Sequence, residues 1–272
     1  MLDYYKSLEK HLHEFGYLIV EANQKDLILN IRSKILTELK RITGISEITL
    51  ENYHDYFQDD KVHYKTQLEL TSFFRNSNFN LEIMESNLDF FRFILGPDLD
   101  LQMQPYLRMA RPGKTQDNIG YHRDTYYGTA ASELSVFVPF VDLSSKNCLS
   151  IYPESHIIQD AFFETESIQS VDVKKGSDRN KIGFLYAPNV IKTDINDKMQ
   201  PIPLKLGQIL IFMLSTIHGS VINNSLITRW STDIRIKNHF YSLNETMKEN
   251  YYKSFKRSAV FSCNEQYSKE MV

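Results

Sequence analysis

The hydropathy period of this chain changes character at Gly96-Pro97, and that change limits the folds open to it. Before it, apolar residues recur at helical spacing; after it, they come in short runs separated by turns. Leu2 to Phe15 has the helical period, Gly16 breaks it, and Tyr17 to Val20 suits a strand. Asn23 is placed to cap a helix running to about Lys40, with Leu27, Ile28, Ile31, Ile35 and Leu39 on one face and Gly44 at its end. Asn52 to Tyr64 is polar and aromatic with a turn at Gln58-Asp59-Asp60. Two more helices are expected between Lys65 and Leu95, broken near Asn76 to Asn78 and stopped by Gly96-Pro97.

Strands are expected at Leu99 to Met109, Glu133 to Val141, Leu149 to Tyr152, Ile182 to Tyr186, Gln208 to Leu214, Gly219 to Ile222 and Ser231 to Ile236. The polar stretch Gln159 to Lys181 reads as a solvated insertion, and Glu245 to Arg257 as a charged surface helix. Helices followed by many antiparallel strands imply an α+β fold: a double-stranded β-helix, the jelly-roll or cupin-like barrel, with flanking N-terminal helices. One domain over 1–272 is expected, with a mainly helical part at 1–97, a jelly-roll core at 98–240, and a C-terminal helix and tail at 241–272.

Composition narrows the partners. With 272 residues, 42% of them hydrophobic, the chain can bury a substantial core. Its net charge of −3 and lack of Lys/Arg runs argue against a nucleic-acid surface. No apolar stretch approaches the roughly 18 residues of a membrane span, and the charged start MLDYYKSLEKHLHEF lacks a signal-peptide core. Cys148 and Cys263 form no disulfide framework, which fits a reducing compartment. These features lead us to expect a cytoplasmic protein that acts on a small molecule, without nucleic-acid or membrane partners.

Three residues point to a metal. His122 and Asp124, in GYHRDTYYG, are two apart, so in an extended segment both leave one face. His218, in STIHGS, ends a hydrophobic run where an unpartnered imidazole would be costly. Two histidines and a carboxylate form the facial triad of non-haem iron(II), which leaves positions for a cosubstrate and oxygen. The alternatives are a surface turn capped by Asp124 and a core histidine bonded to a backbone carbonyl. Arg229, eleven residues past His218, opens the next strand and can grip a carboxylate through two hydrogen bonds; Ser231 shares its face. Together they suit the distal acid of 2-oxoglutarate, unless Arg229 merely pairs with Asp233 or a surface acid.

The segments QPYLRMARP, YHRD, ELSVFVPFVDLSSKNCLSIYPESH, IHGS and RWSTDIR resemble the phytanoyl-CoA dioxygenase-like branch of the iron(II)/2-oxoglutarate-dependent oxygenases. The resemblance runs from about Gln102 to Ile236, extends more loosely over the N-terminal helices and GYLIVE, and is nearest to a subgroup found in bacterial carbohydrate-biosynthesis clusters. It implies that His122, Asp124 and His218 ligate iron(II), that Arg229 and Ser231 clamp 2-oxoglutarate, and that Gln104 and Phe137 contact the cosubstrate. It also implies that O2 is consumed in oxidising an unactivated C–H bond, commonly by hydroxylation, and that halogenation is not expected while Asp124 is present. The chain departs from the pattern at Pro153-Glu154-Ser155-His156, where the family has glycine in place of Glu154.

Substrate contacts are less constrained. Arg108, Arg111, Lys114, Arg123, Arg235 and Lys237 gather near the expected mouth and suit a phosphate or carboxylate, such as that of a phosphorylated or nucleotide sugar; solvated rim charges are the alternative. Arg235 shares the face of Arg229, and Arg108 and Tyr126 are further candidates, Tyr126 among several tyrosines able to stack on a sugar ring. Two other functions remain open: a catalytically silent jelly-roll binding protein, and a cosubstrate-independent cupin-type metalloenzyme.

Overall fold

A computed structural model describes residues 2–127, 129–167, 175–184, 188–191, 194–220, 222–240 and 251–262. Helix α1 (Leu2–Phe15) leads into strand β1 (Tyr17–Glu21) and helix α2 (Lys25–Thr43). Helix α2 ends where Gly44 takes the left-handed conformation (φ 70°) and its N–H reaches Lys40 O. Its cap is not Asn23, as expected, but Gln24; the Asn23 side chain is diverted to Ser86 O.

A short turn of helix, α3 (Tyr53–Tyr56), precedes α4 (Asp60–Asn76), α5 (Phe79–Ser86) and α6 (Leu88–Leu95). Helix α4 starts five residues before the expected Lys65, because the Asp59 carboxylate accepts the Val62 N–H and caps it. The expected second helix is two, divided at Asn87, whose side chain bonds back to Ile83 O.

Strands β2 (Leu99–Gln102), β3 (Tyr106–Ala110), β4 (Leu134–Pro139), β5 (Leu149–Ile151), β6 (Thr165–Ser167), β7 (Pro188–Val190), β8 (Gln200–Ile202), β9 (Gln208–Met213), β10 (His218–Ser220), β11 (Arg229–Asn238) and β12 (Tyr252–Lys256) follow. The larger sheet runs β1-β9-β4-β11-β2-β12 with β3 also on β11; the smaller runs β10-β5-β8. The pairings within both sheets are antiparallel, and together they make the double-stranded β-helix.

Four expectations are corrected here. Leu99 to Met109 is two strands on one neighbour, separated at Met103-Gln104-Pro105, since proline offers no N–H to the ladder. The described part of Glu245 to Arg257 is strand β12 on β2, not helix, and the remainder lies outside the described residues. The described part of Gln159 to Lys181 holds β6, paired with β7, and an Asp178–Lys181 helical turn. Ile182 and Gly183 form a turn rather than a strand, while Leu185 and Tyr186 lie outside the described residues.

The helices cover the outer face of the larger sheet, and a common hydrophobic core joins them. Alternation along β11 sends Trp230, Ile234 and Ile236 into that core, all fully buried. Trp230 stacks edge-on against Tyr53 and donates from Nε1 to Leu50 O at 2.6 Å. The other β11 face, with Arg229, Ser231, Asp233 and Arg235, lines the barrel cavity. Glu154 occupies the left-handed region (φ 64°) where relatives are expected to carry glycine, a strain of about 1 kcal/mol for a residue with a Cβ. No helix among the described residues is long and apolar enough to cross a membrane.

Candidate active site

Backbone hydrogen bonds bring the three metal-type residues together. His122 N donates to His218 O at 2.9 Å, and His218 N returns the bond to His122 O at 3.0 Å. Residue 122 thus extends the smaller sheet by a single bridge. Asp124 does not continue as a strand; it opens a 3-10 turn (Asp124–Tyr127), and its N–H is fixed on Leu214 O at 3.0 Å. The expectation of an extended His122-Arg123-Asp124 segment is corrected to that extent, yet the side chains still converge. One donor atom from each of His122, Asp124 and His218 lies within 4.8 Å of the others, and all three residues are buried.

The imidazoles are oriented for ligation. His122 Nδ1 lies 2.8 Å from Gly120 O and His218 Nδ1 lies 3.0 Å from Thr216 O. A carbonyl only accepts, so both Nδ1 atoms carry the proton and both Nε2 atoms carry the lone pair. The carbonyl-bonded core histidine considered above is therefore compatible with ligation through the other nitrogen. Burial, helped by His122, pushes the His218 pKa down to about 4, so it stays neutral. Burial alone would raise the Asp124 pKa, but the Arg235 guanidinium outweighs it and holds the carboxyl well below the usual carboxylate range. Two imidazoles held by their Nδ1 atoms beside an ionised carboxylate fit a divalent metal.

Beyond the triad, a cavity of about 90 Å³ is walled by both sheets and by Gly183 and Phe184. Arg229 is 4% exposed and bonds only to Asn147 O (3.4 Å) and Ser220 Oγ (2.9 Å) among the described residues. Burial lowers its pKa to about 10, still charged at neutral pH. Its Nε and the Ser231 hydroxyl are buried without partners there. The Asp233 pairing considered above is not made: Asp233 instead takes Arg108 Nε at 3.3 Å. A buried guanidinium facing a cavity with open donors and no acid fits the carboxylate of a ligand.

The remaining expected residues divide. Phe137, Arg108 and Arg235 line the cavity. Arg235 also pairs with Asp124, at 2.9 Å. Gln104 is exposed in the β2–β3 break and outside the cavity lining; the glutamine that lines the cavity is Gln67, while Gln102 accepts from Arg235 N at 3.0 Å. Tyr126 lies outside the lining and packs on the small cluster of Val190, Ile195, Met199 and Ile217. Arg111 is no rim charge; it is fully buried on Asp117 and Asp60. Arg123 is spent on Asp160, Ser155 O and Ile158 O, and Lys237 on Asp100. Ser220 was not expected, although its position two past His218 in IHGS put it on the same face.

The sequence matches the phytanoyl-CoA dioxygenase (PhyH) family over residues 12–231. None of the curated proteins matches it. Among solved structures, the epimerase SnoN in complex with Fe3+, α-ketoglutarate and nogalamycin RO aligns over 94% of this chain and 100% of its own, at 13% identity and TM-score 0.58. EctD from S. alaskensis in its apo form aligns over 93% and 84%, at 13% identity and TM-score 0.56. The nickel complex of the non-heme monooxygenase ThoJ aligns over 92% and 84%, at 15% identity and TM-score 0.54.

Proposed function

The chain belongs to the phytanoyl-CoA dioxygenase family, and from that premise we propose that it oxidises an unactivated C–H bond of a small polar molecule at the His122, Asp124 and His218 centre. It is an iron(II)/2-oxoglutarate-dependent dioxygenase that uses O2. Iron(II) and 2-oxoglutarate supply the oxidising power when bound; the chain's own residues position and isolate the reaction. In this reading His122 Nε2, His218 Nε2 and the Asp124 carboxylate hold the metal. Arg229, helped by the Ser220 and Ser231 hydroxyls, holds the distal carboxylate of 2-oxoglutarate, and Phe137 and Phe212 exclude water beside it.

Arg229 carries the reading. A cosubstrate-independent metalloenzyme has no use for a buried, acid-free guanidinium beside the metal ligands, whereas a five-carbon diacid anchored at the metal needs a cation at its far end. The substrate class rests on the rest of the lining, where Arg108 pairs with Asp233 and lies over the Phe184 ring, 5.6 Å from its centroid, and where Gln67 is a further polar group. These are partners for hydroxyl groups and a ring face. Arg111, Arg123 and Lys237 are engaged by internal acids and carbonyls, which favours a neutral, sugar-like substrate over a phosphorylated one. Hydroxylation is the outcome we assign.

Anaerobic addition of iron(II) and 2-oxoglutarate to the purified protein is expected to give a weak visible charge-transfer band, lost in Asp124→Ala. No band from folded, iron-loaded protein would end the oxygenase reading. A band without substrate-stimulated succinate would favour a silent binding protein on the same fold.

A further inference from the structure

The turn Pro153-Glu154-Ser155-His156, where the chain departs from the family pattern, bonds to both segments that carry the metal-type residues. Ser155 is fully buried. Its hydroxyl donates to Tyr152 O at 2.6 Å and accepts the Ile217 N–H at 2.8 Å. That N–H belongs to the same peptide group as the Thr216 carbonyl, and Thr216 O is the acceptor 3.0 Å from His218 Nδ1. A peptide group is planar, so fixing its N–H fixes the direction of its C=O. The Ser155 hydroxyl therefore sets the aim of the carbonyl that orients the His218 imidazole.

The serine itself is held on every side. With its proton committed to Tyr152 O, its oxygen has only lone pairs to offer Ile217, and Tyr152 N returns a bond to Ile217 O at 2.9 Å. The Ser155 carbonyl accepts from Nη2 of Arg123, the residue between His122 and Asp124. Arg123 is 4% exposed, and Ile158 O at 2.7 Å and the Asp160 carboxylate hold the rest of its guanidinium. The turn is fastened in addition to the end of α1, where Glu154 N donates to Phe15 O at 3.0 Å and His156 Nε2 lies 2.9 Å from His13 O. The imidazole of His122 is served separately, by Gly120 O at 2.8 Å.

We propose that Ser155 is a positioning residue that aims the His218 imidazole through the Thr216–Ile217 peptide and ties that peptide, through Arg123, to the His122-Asp124 segment. Without the hydroxyl the Ile217 N–H is left buried and unpaired, the peptide turns toward another acceptor, and Thr216 O turns with it. The inference rests on the metal-site reading above and concerns a different quantity, what directs one ligand of that site.

The direction of that ligand is measurable without turnover. In metal-free protein labelled with nitrogen-15 histidine, the Nδ1–H protons of His122 and His218 should give separate magnetic resonances, each assigned by its loss in His122→Gln or His218→Gln. Ser155→Ala should lose the His218 resonance to exchange with water and keep that of His122. Mn(II), titrated by the electron paramagnetic resonance of the free ion, should bind S155A about tenfold to a hundredfold more weakly, the usual effect of removing support from a ligating histidine. Ser155→Thr, which keeps the hydroxyl, should restore the resonance and return Mn(II) affinity to within about threefold. Ile31→Val, a core change in α2 that loosens the fold without touching the turn, should alter neither readout. A folded S155A with both resonances and normal Mn(II) affinity would overturn the proposal, and so would equal loss of the two resonances, which marks general loosening. Should S155A not fold, the unaltered protein decides: its Ile217 N–H should exchange with deuterium as slowly as the amides of β9, and rapid exchange overturns the proposal. An unaltered protein that keeps both resonances and binds no Mn(II) counts against the metal site and leaves the orientation of His218 standing.

Discussion

Arg229 and Gln104 show how far a single position could be read. Arg229 opens a strand whose alternation is plain, so its inward direction followed from Ser231, Asp233 and Arg235 sharing its parity. The role proposed for it follows from what it lacks: a buried guanidinium without an acid among the described residues suits the anion of a ligand. Lysine at 229 would keep the charge and lose the planar fork, so R229K should weaken 2-oxoglutarate by about tenfold to a hundredfold. Iron(II) affinity should move by less than about threefold, since Arg229 touches no metal-type residue. Titration of the charge-transfer band against each component separates the two, and equal weakening would assign Arg229 a structural part. Gln104, which only the family resemblance suggests as a cosubstrate contact, lies exposed in the break where Pro105 interrupts the pairing of Leu99 to Met109 on β11. Ser220 was hidden differently, since its bond to Arg229 crosses from β10 to β11 and no local spacing reports it.

At the scale of elements, the site depends on the narrow join between His122 and strand β10. Gly219, between His218 and Ser220, lets this join close: a Cβ there would stand 2.8 Å from Gly120 O and 2.8 Å from Tyr121 Cδ1. Neither neighbour is the end of a flexible chain, so Gly219→Ala must push the 120–122 backbone away from β10. Overpacking of this kind costs about 1–3 kcal/mol, and here it falls on the bridge that sets the His122 to His218 separation. G219A should therefore bind Mn(II) at least about tenfold more weakly while its far-ultraviolet circular dichroism stays close to that of the unaltered protein. Normal metal affinity would show that the bridge is not what aligns the ligands. Elements defined by their own periodicity, such as α2, β9 and β11, were legible in the sequence. Those whose state is set by a distant partner were not: β12 is charged and amphipathic enough to read as helix, but the open edge of β2 pairs with it. Helix α4 begins early for a local reason that was available, the Asp59 cap, but the aromatic content of the preceding segment obscured it.

Across the whole molecule, buried and half-buried polar bonds fasten the helical layer to the barrel that carries the site. Gln67 of α4 donates to Leu107 O, Arg75 to Pro105 O, and Arg32 of α2 to Phe140 O. Arg111, at the end of β3, is fully buried between Asp117 and Asp60, joining α4 to the loop that leads to His122. His63 lies in the same cluster, hydrogen-bonded to Tyr53 at 3.1 Å with its Nε2 3.7 Å from Asp117. Burial pushes its pKa down to about 4 even with that carboxylate near, because Arg111 and Lys114 oppose a further positive charge. The consequence is a defined acid sensitivity. Above about pH 6.5 the imidazole is neutral in both folded and unfolded chains, and its contribution to stability is complete. Between about 6.5 and 4 the unfolded chain binds a proton that the folded chain refuses, so stability falls as pH is lowered through this window and the loss is complete near 4. For this residue alone the loss is about 2 kcal/mol between pH 7 and pH 5, and on the order of 3 kcal/mol in full. His63→Gln removes the titrating group while keeping a polar side chain for Tyr53, so urea unfolding of metal-free protein should show a smaller drop from pH 7 to pH 5 in the variant, by about that 2 kcal/mol. The variant is expected to be the less stable protein at pH 7, where the buried bond to Tyr53 is weakened, and to close the gap as the solution is acidified. Parallel pH profiles for the two proteins would mean that His63 takes up its proton in the folded state near the ordinary histidine value, with Asp117 rather than burial controlling it.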